Sequence, residues 1–300
     1  MSTEPQVSYG YQIEQENFGG ILQYGLEQYH RFRASFDEYQ WEPPKEIDPR
    51  DWFDIEDQSR SNSCVGNSDA DIGEWLAMLA DGQEIQLSRY FAYLASQDMG
   101  GGMRGDNGAY LEASTRANAR GIPLESRFPW SINYNAQRNK YRAELSDILA
   151  GDVWKYPGGL PLGSFEDSFR FLSGFTGGIH IGIPWTNALR NVGKSGEIKS
   201  YSPRGAVGGH ALLWCGYVHV SGWGDRDCGI LMKNSHSKNW GNNGWGIVHP
   251  DAVNAMCRAG TIIGRSDLVS PRPRREAIDN FRARYKQGSG RTIGGPATAL

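Results

Sequence analysis

Three polar residues, far apart in the chain, have types and settings suited to acyl-transfer chemistry. Cys64 follows Gln58 by six positions in Gln58-Ser59-Arg60-Ser61-Asn62-Ser63-Cys64-Val65-Gly66-Asn67. An apolar helical pattern begins directly behind it, with Ile72, Trp75, Leu76 and Leu79 at i, i+3, i+4 and i+7. Asn62 and Ser63 are good N-cap types, so Cys64 is expected in or just before the first helical turn. The unpaired N–H groups and positive dipole end there favour a thiolate, and the same amides can donate to an oxyanion. The Gln58 carboxamide can supply a second donor. A buried structural cysteine behind a polar loop is the plainer alternative, so the rest of the chain has to decide.

His210 stands behind a glycine pair at the start of an apolar strand, in Val207-Gly208-Gly209-His210-Ala211-Leu212-Leu213-Trp214. Asn234 ends a second strand candidate, Gly229 to Lys233. If Ala211–Val220 and Gly229–Lys233 form one antiparallel hairpin through Gly222-Trp223-Gly224-Asp225, its open end brings His210 and Asn234 together. A histidine there can take the proton of Cys64, and the asparagine carboxamide can fix the ring's tautomer. His30, His180, His219 and His249 have no partner spacing and read as structural or solvent-facing.

The elements that must position these residues divide the chain. Residues 51–160 read as mainly helical and 161–260 as strand-rich, an α+β class with two lobes meeting at a cleft. Leu87-Ser88-Arg89 opens a second helix, Ala109 to Arg120 reads as a third with Gly121 at its end, and Tyr141 to Leu149 as a short one. Ser164 with Asp167 resembles a capping box before a helix over Phe165 to Phe171, and Ile179, Ile181 and Ile183 alternate as a strand should. The glycine-rich run Gly100 to Gly108 has no strand before it, which removes a phosphate loop and suggests a close backbone approach. Gly193-Lys194-Ser195 matches the end of a P-loop by chance, since Ala188 stands where its first glycine belongs. Residues 1–50 are expected as an N-terminal arm, weakly helical from Phe18 to Tyr39 and able to lie across a binding groove. Residues 261–300 are expected as a basic C-terminal extension, and either end could dock on a larger assembly.

Composition narrows the function classes. A formal net charge of −3 gives no sign of a nucleic-acid or membrane-surface partner, and no stretch reaches the roughly 18–20 apolar residues of a membrane span. The polar start, Met1 to Tyr11, lacks the build of a signal peptide, so a cytoplasmic or virus-particle location is expected. Cysteines at 64, 215, 228 and 257 make neither a disulfide framework nor a zinc site, and no metal or cofactor is implied.

With these stretches in view the chain resembles the papain-like cysteine peptidases, in particular the disulfide-free bacterial and viral branch. Gln58-x5-Cys64, Leu87-Ser88, Asp106-Asn107-Gly108-Ala109, Gly121-Ile122-Pro123 with Phe128-Pro129-Trp130, Gly209-His210-Ala211, and Asn234-Ser235 with Trp240-Gly241 and Gly244-Trp245 follow that family's order over about Asp51 to Val253. The resemblance implies a helical left lobe, a β-barrel-like right lobe, and an endopeptidase acting on a peptide or protein substrate. It implies Cys64 as nucleophile, His210 as base and then acid, Asn234 as orienter, and Gln58 with the Cys64 N–H as oxyanion hole. It further implies substrate contacts at Asn107, Gly108, Gly209, Ala211, His236 and Trp240, with Asn107-Gly108 pairing to the substrate backbone. His236 stands where many members carry a tryptophan over the His–Asn bond. Two other readings remain: a structural component, such as part of a virus particle, that reuses this fold, and an acyltransferase on the same triad.

Overall fold

In the computed structural model, residues 43–156, 158–174 and 177–266 are described. The expected arm over 18–39 and the basic tail over 271–291 lie outside them. The helical lobe is built on α1 (Cys64–Asp81), α2 (Arg89–Met99) and α3 (Leu111–Arg120), with α4 (Tyr134–Leu149) packed outside α2. Ile72, Trp75, Leu76 and Leu79 are all buried, so the periodic face of α1 is its core face. Ser88 caps α2 by accepting from the Phe91 N–H at 3.2 Å, and its hydroxyl donates to the Phe128 carbonyl. α4 starts seven residues earlier than the periodicity predicts, because Asn133 caps it by accepting from the Ala136 N–H at 3.1 Å. β1 (Ile122–Pro123) and β2 (Val153–Trp154) close this lobe as a two-residue ladder.

The second lobe is a seven-stranded sheet in the order β3 (Leu160–Pro161), β9 (Thr261–Arg265), β4 (Gly178–Thr186), β6 (Ala206–His219), β7 (Cys228–Lys233), β8 (Trp245–Val248), β5 (Glu197–Ile198). Two features correct the sequence reading. The sheet stays open instead of closing as a barrel, and its β5–β8 edge is parallel. Residues 261–265, expected at the start of a C-terminal extension, form an interior strand, with Ile181 opposite Ile262 and Leu160 opposite Gly264. The body also begins earlier than Asp51, since Ile47 is buried and exchanges backbone hydrogen bonds with Tyr217 at 2.8 and 2.9 Å. α5 (Phe165–Ser173) and α7 (Pro250–Ala259) pack on this sheet, and the short α6 (Asn187–Arg190) follows β4. Ser164 caps α5 through the Asp167 N–H at 3.1 Å, as the capping pattern predicts. All four cysteines are free thiols.

Candidate active site

Cys64 is the first residue of α1 and fully buried. The helix start is not capped in the way its residue types suggest. Ser63 has φ −89° and ψ 18°, and its side chain accepts no capping hydrogen bond from the backbone. Asn62 is drawn instead to the glycine-rich loop, where its N–H donates to Asp106 Oδ1 at 3.0 Å. The first amides of α1 are therefore not covered by a local side-chain cap, the arrangement that favours an anion at this end. Gly66 explains the approach of the next helix. A Cβ at this position would lie 2.3 Å from the Arg89 carbonyl oxygen and 2.5 Å from the Tyr93 nitrogen.

His210 and Asn234 come together at the open end of the β6–β7 hairpin. Leu213 pairs with Lys233 in that ladder, which places Asn234 one residue beyond its end. His210 Nε2 lies 2.8 Å from Asn234 Oδ1, and both residues are buried. An asparagine carbonyl only accepts, so Nε2 carries the hydrogen and Nδ1 is the basic nitrogen of the neutral ring. Burial pulls the His210 pKa down to about 4, against the opposing effect of the Asn234 bond. The ring is thus an unprotonated base at neutral pH. β6 packs on the helix that Cys64 opens.

Gln58 is fully buried and tied to the strand end that carries Asn234. Its N–H donates to the Ser235 carbonyl at 2.9 Å, and its Oε1 accepts from Ser235 Oγ at 2.6 Å. Its Nε2 donates to the Ser61 carbonyl at 2.9 Å. The pairing continues with an Asp57–His236 bridge and the Ser237 N–H to the Glu56 carbonyl at 3.1 Å. One short ladder therefore holds Gln58, Asn234 and His236 in register.

The sequence missed Trp185, which has no motif around it. From β4 its ring meets His210 edge-on at 4.6 Å and His236 at 5.7 Å. The His236 ring stacks on His210 at 4.3 Å with 23° between planes. Trp240 leans on Trp185 at 6.0 Å and donates from Nε1 to the Leu189 carbonyl at 2.8 Å. Gly209 and Ala211 lie opposite Pro184 and Gly182 in the β4–β6 ladder, both buried.

Gly108 corrects the expected rim. Its N–H donates to Tyr93 Oη at 3.1 Å and its carbonyl accepts from Gln97 Nε2 at 2.9 Å, so both backbone groups face inward. Gly100 does sit in a close approach, with a Cβ there 3.1 Å from the Ser96 carbonyl oxygen, but Gly101 and Gly102 do not. A Cβ at Gly101 or Gly102 would meet nothing within 4 Å, and their φ values of 106° and 109° are what require glycine.

Two polar clusters behind the cleft also escaped the sequence reading. Lys233, next to Asn234, is fully buried and pairs with Glu56 and, at 2.8 Å, with Asp71 of α1. Glu56, Asp71 and Glu74 lie close enough to share a cation, and the Lys233 ammonium fills that role. Burial, then the Glu56 charge, raises Asp71 to about 7, and burial with the charges of Asp71 and Glu56 holds Glu74 well above the carboxylate range. Ser68, His180 and Asp69 imitate a hydrolase triad, with Ser68 Oγ 2.7 Å from His180 Nε2 and His180 Nδ1 3.3 Å from Asp69 Oδ1. All three are buried between α1 and β4, and Ser68 Oγ also donates to the Cys64 carbonyl at 2.9 Å, so the group is structural.

Solved structures with the same architecture are papain-like cysteine proteases. Xylellain, a cysteine protease from Xylella fastidiosa, superposes with a TM-score of 0.65 at 16% identity, covering 89% of this chain and 99% of that one. Procathepsin B S9 from Trypanosoma congolense gives 0.61 at 18% identity over 87% of each chain. The Carica candamarcensis protease CMS1MS2, solved with E-64, gives 0.55 at 17% identity, covering 75% of this chain and 99% of that one. No protein-family model and no curated protein sequence matches. The fold is the papain-like two-lobed fold.

Proposed function

We propose that this protein is a cysteine endopeptidase that hydrolyses peptide bonds through Cys64, His210 and Asn234. The observation that carries the reading is the buried 2.8 Å His210–Asn234 bond, on the strand packed against the helix that Cys64 opens. His210 Nδ1 takes the Cys64 proton, and Sγ attacks the substrate carbonyl carbon. The oxyanion is held by the Cys64 N–H and by the Gln58 carboxamide. The amine leaves with the proton from His210, and a thioester remains. Water, deprotonated by the same nitrogen, attacks the thioester and releases the acid and the thiol.

Iodoacetamide alkylation of Cys64 against pH, in the wild type and in His210→Ala, tests this reading. Reaction continuing well below pH 8.5 and lost in the variant is the expected result, together with cleavage of a peptide library. A single titration near pH 8.5 in both proteins would overturn it and turn attention to a structural component that reuses the fold.

A further inference from the structure

Among the described residues, His236 is the ionisable ring placed against His210, and its surroundings are unusual for such a group. It lies flat on His210 at 4.3 Å, with Trp185 edge-on to both rings. Its backbone is pinned by the bridge to Asp57 and by the flanking Gln58–Ser235 and Ser237–Glu56 hydrogen bonds. Ser237, the next residue, has φ 63°, a conformation that a non-glycine residue adopts only under local constraint. The ring is thus held on His210 by the same ladder that positions Gln58.

Among the described residues, two charges that act on it disfavour a second proton. His210 is the partner in the stack, and Arg190, at the end of α6, adds a fixed positive charge. The nearby carboxylates are committed elsewhere: Asp57 Oδ1 accepts from the Ser59 N–H at 2.7 Å, and Glu56 is held by Lys233. Burial, His210 and Arg190 together keep His236 well below the ordinary imidazole range.

Resting on the peptidase reading, we propose that His236 is a positioning residue that works as an uncharged ring. It fixes the His210 plane and leaves His210 as the only place in the stack where positive charge forms. Two imidazolium rings in contact at 4.3 Å would repel strongly in a buried site. When Cys64 passes its proton to His210, His236 must be neutral, and a flat neutral ring favours that cation.

The test compares His236→Phe, His236→Ala and His236→Lys in the full chain, by kcat and KM on a peptide ester and by the pH dependence of Cys64 alkylation. His236→Phe keeps a flat neutral ring and should hold kcat within about threefold. His236→Ala should lower kcat about tenfold with little change in KM. His236→Lys should lower kcat about a hundredfold, because a fixed ammonium beside His210 opposes the imidazolium that must form there. Ring ¹⁵N shifts in the wild type keep the proposal open to refutation should the lysine variant not fold. A His236 that is neutral throughout the active pH range supports the proposal, and one that is charged there overturns it. A folded His236→Lys variant that matches the wild type also overturns it, as does a His236→Phe variant as damaged as His236→Lys. In either case a His210-dependent Cys64 leaves the peptidase reading intact. A wild-type Cys64 indifferent to His210→Ala defeats both.

Discussion

The Gln58 carboxamide can present a hydrogen to a reacting carbonyl only if its plane is fixed. Ser235 Oγ holds its Oε1 at 2.6 Å, and the Ser61 carbonyl holds one Nε2 hydrogen at 2.9 Å. A rotamer fixed at both ends costs no ordering during the reaction, which is where preorganised donors gain their effect. Gln58→Ala is expected to lower kcat by roughly 10²–10³ with a small change in KM, measured on a peptide ester. Ser235→Ala loosens the amide without removing it, so a loss of about tenfold is expected. An effect on KM alone in either variant would place Gln58 in binding instead of transition-state stabilisation.

At the scale of elements, α1 carries most of the design, because one helix presents Cys64 at its start and Ser68, Asp69 and Asp71 within its next two turns. Asp69 is fully buried, accepts from Asn118 at 2.9 Å, and is raised to about 6 by burial against the opposing charge of Arg265. Its folded pKa lies above the unfolded value of about 3.9, so its stabilising effect is full below pH 4 and is lost as pH rises through 6. Asp69→Asn should flatten this part of the profile, removing roughly 3 kcal/mol of pH dependence between pH 4 and 7 in urea unfolding. A wild-type and variant slope that coincide there would disprove the assignment. The core face of α1, the caps of α2 and α5, and the hairpin joining His210 to Asn234 were legible because each depends on neighbours within a few residues. The Ser68–His180–Asp69 group was not, since His180 lies 112 positions from Ser68 and carries no local pattern. The same holds for the interior place of 261–265 and for the inward turn of Gly108, which depends on the Tyr93 and Gln97 side chains.

At the scale of the whole molecule, the two lobes are registered by one buried ammonium. Lys233 ends β7 beside Asn234, Asp71 lies two turns beyond Cys64 on α1, and Glu56 lies two residues before Gln58. The three segments that bear Asn234, Cys64 and Gln58 therefore meet at a single charge. A cavity of about 270 Å³, lined by Trp52, Phe53, Glu56, Glu74 and Trp75 among others, opens against this cluster. Burial alone would oppose a charged lysine, but Asp71 and Glu56 outweigh it and raise its pKa above the usual value. Lys233→Met removes the ammonium bonded to Glu56 and Asp71, and breaking such a buried pair typically costs 3–5 kcal/mol. Asp71 and Glu74 can relieve that cost only by taking up protons, so their folded pKa values rise further above the unfolded ones. The stability that this provides is present at low pH and is lost as pH rises. Lys233→Met should therefore be destabilised less at pH 5 than at pH 8 in thermal melts, and its kcat at pH 8 should fall more than its Tm alone accounts for, because Asn234 and Gln58 lose a shared anchor. A destabilisation equal at both pH values would show that Lys233 acts through packing, and that the lobes are held in register by their apolar contacts.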